Sequence, residues 1–408
     1  MTVKLLTADQ VATRLGVQRA TVYAYVSRGL LRRTVGDDGR TSWFDPDEVD
    51  ALARRGRPRA RTQRAGAVEV VLASGLTEIG ADGHLRYRGH DVTDLAGSHP
   101  FEAVAELLWT GALPDRPVAW PTPADALAVA GAATATLPTT APIASRMSVA
   151  VAAVAASDEA RGDLRAATVQ RKARTMLGVF ARTPLLLGPS PAGDAPTTVA
   201  AELWPRLSPQ RPTAARVRAL DAALVLLADH ELATSTLAAR VAASTRANPF
   251  ACVLAAIGAV SGPLHGRAAI GTHRILAEAL ATANPAAAVE GALEAGERIP
   301  GMGHSLYDGI DPRAEILLDR VGTIAGAPAA RTIESVRRLC VDASGLEPNV
   351  DFALGALALA GAMPFGATEG VFATGRTAGW VAHVLEEYDE RPLRYRPRAI
   401  YTGPEPLS

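Results

Sequence analysis

What most constrains the folding of this chain is the kind of apolar residue it uses. Beyond residue 114 the hydrophobic positions run in long Ala-, Leu- and Val-rich patterns at helical spacing, broken by Pro- and Gly-bearing gaps such as 110–122 and 183–198. Alanine and leucine favour helix, whereas a β-sandwich draws on aromatic and β-branched side chains. Aromatic residues make up only 5% here. No internal repeat appears, and strands do not alternate with helices as a doubly wound parallel sheet requires. The expected class is mainly α. At 408 residues the chain is long enough for two or three domains, and 48% hydrophobic against 21% charged residues is a globular balance.

Lysines and arginines balance aspartates and glutamates over the whole chain, but not locally. Residues 1–66 hold 13 basic and 7 acidic side chains, a net +6. A basic end on a neutral protein points to an appended module with its own partner. In this region Thr7-Ala-Asp-Gln10 fits a capping box. Val11, Ala12 and Leu15 follow at helical spacing up to Gly16, and a second helix is expected from about Gln18 to Arg28, stopping at Gly29. Two short helices across a glycine turn make a helix-turn-helix. The second offers Gln18, Arg19, Thr21, Tyr23 and Arg28 to bases and phosphates. Residues 32–44 read as a hairpin turning at Asp38-Gly39, with Asp45 capping a third helix through Leu52. On this pattern residues 1–53 resemble the winged helix-turn-helix of excisionases and mercury-resistance regulators. The competing reading is a helical arm for subunit contacts. Residues 54–66, with six arginines, read as a basic linker.

Two distant cysteines without a CxxC argue against a disulfide framework or a zinc ribbon. Lys4, Asp9 and Arg14 stand where a signal peptide is apolar. The most apolar run, 147–157, falls short of the roughly 18 residues of a membrane span. A cytoplasmic protein without membrane association is expected.

The body opens with a short β segment before Ala81-Asp-Gly83, continued by Leu85 and Tyr87, and then a helix from about Pro100 to Trp109. Seven polar residues stand out further on. His230 lies in ADHELATSTLAARVAAST, within a strongly helical pattern. His265 sits between Gly262-Pro263 and Gly266, and His304 sits in GMGHSLYDGIDPR. Glycine beside a histidine lets a ligand approach closely. Asp351 follows Pro348-Asn349 ahead of an apolar helix and suits a partly buried acid. Arg313 follows Asp311-Pro312, Arg376 opens the pattern GRTAGWVAHVLEE, and Arg396 lies in the terminal RYRPRAIYTG. Guanidinium groups bind carboxylates through paired hydrogen bonds. The set suggests a substrate with several carboxylates and a reaction that needs acid and base together. Plain alternatives exist: a helical histidine is often a core residue, and DPR is often only a helix start. No metal-binding spacing such as HExxH appears.

These motifs, in order, resemble the citrate synthase family over about residues 68–406. They are GADGHLRYRGHDVTDLA, FEAVAELLWTGALP, ADHELATSTLAARVAAST, GPLHG, GMGHSLYDGIDPRA, PNVDF, GRTAGWVAH and RPRAIYTG. The resemblance implies two helical domains, a large one of residues 67–265 and 362–408 and a small one of residues 266–361, closing over the site of a homodimer. It implies that His304 polarises and protonates the ketone of oxaloacetate, that Asp351 takes a methyl proton from acetyl-CoA, and that His265 holds the thioester oxygen. His230, Arg313, Arg376 and Arg396 would bind oxaloacetate or citrate, Arg396 from the other subunit. No cofactor is implied, because the CoA thioester is a substrate. Some positions depart from the family pattern: Ala233, Arg267, Ala269, Ser305, Asp308, Ala353 and Leu354. Asp308 stands where basic residues commonly hold the CoA phosphates. These departures leave a propionyl donor, giving 2-methylcitrate, as an alternative. A DNA-binding regulator with a metabolite-sensing body is another.

Overall fold

The computed structural model describes residues 5–15, 17, 19–27, 31–36, 41–49, 70–80, 83–116, 118–190, 198–262, 265–266, 268–294, 299–307, 309–397 and 403. Gln18, Arg28, the turn at Asp38-Gly39, the end of the expected third helix, the basic linker, Arg267 and Asp308 lie outside them. The chain divides into an N-terminal unit through Leu72 and a body comprising nearly all the rest.

In the N-terminal unit, β1 (Leu6–Thr7) leads into α1 (Ala8–Leu15) and α2 (Arg19–Ser27), followed by β2 (Thr34–Val35) and β3 (Ser42–Phe44). The capping box is present: Thr7 N–H donates to Gln10 Oε1 and Gln10 N–H to Thr7 Oγ1. The strands form one antiparallel sheet in the order β1-β3-β2, pairing Leu6 with Phe44 and Thr34 with Trp43. Asp45 Oδ1 accepts from Asp47 N–H and starts a helical turn at 46–49. Ala8, Val11, Val22, Leu31, Phe44 and Val49 form a core of their own.

The body begins with a second antiparallel meander, β4 (Thr77–Ile79), β5 (Leu85–Tyr87) and β6 (His90–Asp91). Helices follow: α3 (Val92–Ser98), α4 (Phe101–Thr110), α5 (Ala124–Ala135), α6 (Ile143–Ser157), α7 (Ala166–Arg182), α8 (Val199–Leu207) and α9 (Ala214–Leu227). Then come α10 (Thr234–Ser244), α11 (Pro249–Val260), α12 (Ala268–Thr282), α13 (Pro285–Glu294), α14 (Pro312–Gly322), α15 (Ala327–Ser344), α16 (Val350–Ala360) and α17 (Ala367–Tyr388). The body is thus mainly helical, with starts set by local chemistry. Asn248 accepts from Ala251 N–H ahead of Pro249 to begin α11, and Asp311 does the same for α14 ahead of Pro312. α17 is buried nearly all round, packed by α4, α6, α7, α9, α10 and α11, and it carries Arg376, His383 and Glu387 into the interior, where each has hydrogen-bond partners.

Two local expectations are corrected. His230 is not helical: α9 ends at Leu227, and Glu231 takes a left-handed φ of 52°. Long-range bonds override the helical pattern here. Tyr87 Oη donates to Asp229 O at 2.8 Å, and the Asp229 carboxylate accepts from Thr77 Oγ1 at 2.5 Å. Arg376 does not open a helix but lies well inside α17. Gly379, one turn further along the helix, is a packing contact: a Cβ there would come within 2.3 Å of Ala228 O. That approach lets Gly379 N–H donate to Ala228 O at 2.9 Å.

Candidate active site

The histidine turn is shaped by its glycines. Gly301 has a φ of 80°, and a Cβ there would lie 2.5 Å from Thr272 Oγ1 and 2.8 Å from Phe352 N. Only glycine tolerates both conditions. The turn is clamped to the start of α16: Asn349 N–H donates to Gly301 O at 2.9 Å, Asn349 Nδ2 to Gly303 O at 2.7 Å, and Gly303 N–H to Glu347 O at 2.7 Å. His304 Nδ1 accepts from Leu306 N–H at 3.1 Å. In the neutral ring the proton therefore sits on Nε2, a donor.

Asp311 has three tasks and joins α14 to α16. It caps α14, grips Arg313 through two parallel bonds of 3.0 and 2.7 Å, and accepts Val350 N–H at 3.1 Å. The Arg313 guanidinium lies over the Tyr307 ring at 5.7 Å. Tyr307 Oη is 3.0 Å from His230 Nε2, and the His230 and His304 rings are 5.1 Å apart. Burial, then Arg313, His304 and Arg376, push the buried His230 well below its ordinary value, so it is neutral.

On the other side, Trp380 Nε1 donates to the Ser235 hydroxyl at 3.2 Å, and Ser235 Oγ is 2.9 Å from His265 Nε2. Ser235 keeps both its own proton and a second lone pair for His265 Nε2, so this bond fixes the orientation of the ring and turns Nδ1 away from Ser235. Burial and Arg376 lower the His265 value and keep it uncharged. The Arg376 guanidinium is buried over the Phe372 ring at 4.7 Å, with Nε donating to Leu227 O at 2.7 Å. Phe372 in turn meets His265 edge-on at 5.8 Å.

Asp351 lies half-buried in the first turn of α16. Burial raises its carboxyl; Arg313 opposes, Asp311 adds and Arg376 opposes, for a value of about 6. Six of the seven polar residues singled out in the sequence thus converge: His230, His265, His304, Arg313, Asp351 and Arg376. Arg396 does not join them, being exposed beyond α17. Sequence reasoning passed over Asp311, Tyr307 and Ser235. Of the contacts of Asp311, only the helix cap could have been anticipated, from its place ahead of Pro312. Of the departures, Ala233 is the N-cap of α10 without a side-chain bond, Ala269, Ala353 and Leu354 are buried, and Ser305 is exposed. Among the described residues, no cluster of three or more His, Cys, Asp or Glu is placed to hold a metal ion. In the N-terminal unit, Arg19 is exposed beside Asp9, Thr21 is half-buried, and Tyr23 is half-buried with its hydroxyl 3.5 Å from Ser42 Oγ.

Residues 67–398 match the family described as citrate synthase, C-terminal domain. The citrate synthase of Haloferax volcanii is 33% identical over 366 residues, covering 83% of this chain and 95% of that protein. Citrate synthase 2 of Bacillus subtilis is 30% identical over 364 residues, covering 84% and 97%. Among solved structures, Thermoplasma acidophilum citrate synthase in ternary complex with carboxymethyl coenzyme A and oxaloacetate superposes with a TM-score of 0.67 at 25% identity, over 83% of this chain and 95% of that one. The Pyrobaculum aerophilum citrate synthase gives 0.68 at 27%, over 83% and 92%. The chain belongs to the citrate synthase family.

Proposed function

We propose that this chain condenses oxaloacetate with acetyl-CoA to give citrate and CoA. The observation that carries the reading is the hydrogen-bonded state of the two turn histidines. His304 presents Nε2–H, and His265, held through Nε2 by Ser235, leaves Nδ1 to donate to the substrate in this reading, together with a raised carboxyl and two buried guanidinium groups. Arg313, Arg376 and His230 bind the oxaloacetate carboxylates. Asp351 removes a proton from the thioester methyl group while His265 donates to the developing enolate oxygen, a contribution of about 3–4 kcal/mol. The new carbanion equivalent attacks the ketone carbon, and the ketone oxygen takes the proton of His304. Water then hydrolyses citryl-CoA to citrate and the free thiol. The CoA thioester is a substrate, and no further cofactor enters this scheme.

The body is proposed to divide into a large domain, 67–265 with 362–408, and a small one, 266–361. The mutual packing of α12, α13, α15 and α16 supports this division. Closure of one domain on the other would exclude water and commit the substrate. Because Arg396 is exposed beyond α17, the proposed unit is a homodimer in which Arg396 completes the partner's site, and its proposed location is the cytoplasm. A second proposed activity is DNA binding by the N-terminal unit as a winged helix-turn-helix. Its support is two consecutive helices and a hairpin on a separate core, with Arg19, Arg32 and Arg33 exposed. The test is CoA release by the purified protein with oxaloacetate and either acetyl-CoA or propionyl-CoA. Higher kcat/KM for acetyl-CoA is expected, and preference for propionyl-CoA would reassign the product to 2-methylcitrate. No turnover with either donor, from folded protein that binds oxaloacetate, would favour a sensor.

A further inference from the structure

A continuous chain of buried polar groups runs from the turn that carries His230 to the segment that carries Arg396. Asp229, the neighbour of His230, has its carboxylate 3.2 Å from His383 Nε2. Arg240 Nη1 donates to His383 Nδ1 at 3.0 Å. A guanidinium only donates, so His383 Nδ1 accepts and Nε2–H points to Asp229. Arg240 Nε donates to Glu387 Oε2 at 3.0 Å. Glu387, with a fully buried side chain, then takes Arg394 Nε at 2.7 Å and the Tyr395 hydroxyl at 2.9 Å. Arg396 is the next residue. Burial alone would raise the Glu387 carboxyl, but Arg394, Tyr395 and Arg240 hold it below its ordinary value.

Other bonds fix the same end of the chain. Leu393 N–H donates to Ser244 O at 2.9 Å, and the Arg246 guanidinium donates to the carbonyls of Glu387, Tyr388 and Glu390 at the end of α17. A terminal segment is ordered only where something ties it down. Here the tie is ionic, buried and shared with the oxaloacetate side of the site.

We propose that Glu387 is a positioning residue for Arg396. Through Arg394 and Tyr395 it sets the direction in which the terminal segment leaves the body. Through Arg240, His383 and Asp229 it joins that segment to the His230 turn. The inference rests on the reading in which Arg396 of one subunit binds oxaloacetate in its partner. It goes beyond that reading by naming what holds the arginine and by linking it to the lending subunit's own site.

The test is a double-mutant cycle in the full-length protein between Glu387→Gln and Arg396→Leu, with both Michaelis constants, kcat and the oligomeric mass measured. Arg396→Leu should raise the KM for oxaloacetate about ten- to hundredfold. Glu387→Gln should raise the same KM about tenfold and leave the KM for acetyl-CoA within about twofold. Added to Arg396→Leu, it should cause no further rise, because it acts through that arginine. A structural role alone would instead move kcat and both constants together, and would add in full to Arg396→Leu. That additivity, or an unchanged oxaloacetate KM in Glu387→Gln beside a raised one in Arg396→Leu, overturns the inference and leaves the reading of Arg396 intact. If Arg396→Leu itself leaves the oxaloacetate KM unchanged, the reading falls and the inference with it. Should Glu387→Gln fail to fold, Tyr395→Phe removes a single bond and is put through the same cycle. A rise of about two- to fivefold that vanishes in the Arg396→Leu background is expected, and an additive or absent effect overturns the inference.

Discussion

Asp351 has a carboxyl at about 6 because burial outweighs two guanidinium groups. In the proposed role of base it must be ionised to act, so kcat/KM for acetyl-CoA should fall as pH drops through about 6. The same shift bears on stability with the opposite sense. A raised carboxyl favours the fold when protonated and weakens it when ionised. Below about pH 4 the folded and unfolded forms are both protonated and nothing is lost; above about 6 the full cost is present. Asp351→Asn should therefore lose about 10²–10⁴-fold in turnover while keeping oxaloacetate binding. It should also be more stable than the parent at pH 8, by up to about 3 kcal/mol, with the gain gone below pH of about 4. Steady-state kinetics and denaturant unfolding at the two pH values check both halves.

At the scale of elements, the seat of α17 against the chain just after α9 places His230. Gly379→Ala puts a methyl group within 2.3 Å of Ala228 O and 2.4 Å of Asp229 Oδ1. Unfolding should be easier by about 1–3 kcal/mol, and the KM for oxaloacetate should rise as the turn is pushed away. Thermal unfolding and initial rates measure the two effects. This contact also shows where the sequence stops being informative. His265, His304 and Asp351 each carry a local sign: a histidine between glycines, or an acid behind Pro-Asn. The capping box at Thr7 and the hairpin behind it are local too, and the structure contains both. The break before His230 has no local sign, since Ala-Asp-His-Glu-Leu is a good helical run. It is made by Tyr87 and Thr77, far earlier in the chain. Arg376 misleads for the converse reason: its flanking glycines serve packing within a helix, and composition alone cannot tell that from a stop. Ser235 and Tyr307 acquire meaning only through partners that the fold brings to them.

For the whole molecule, the N-terminal unit and the body have separate cores. Deleting residues 1–66 should leave kcat/KM unchanged within about twofold, because every converging residue lies in the body. The full-length chain should bind DNA with an affinity that falls steeply with salt, and the truncated chain should not. Activity assays and a salt titration of DNA binding test this, and lost turnover in the truncated chain would refute the linker reading of 54–66. Within the body, the bonds of Asp311 carry a consequence for how such a chain is able to vary. One carboxylate starts a helix, holds Arg313 and fastens the segment that bears Asp351. Asparagine would keep the cap and give up the charge; glutamate would keep the charge and overreach the cap. No single exchange preserves all three contacts, so inheritance has nowhere to move at this position.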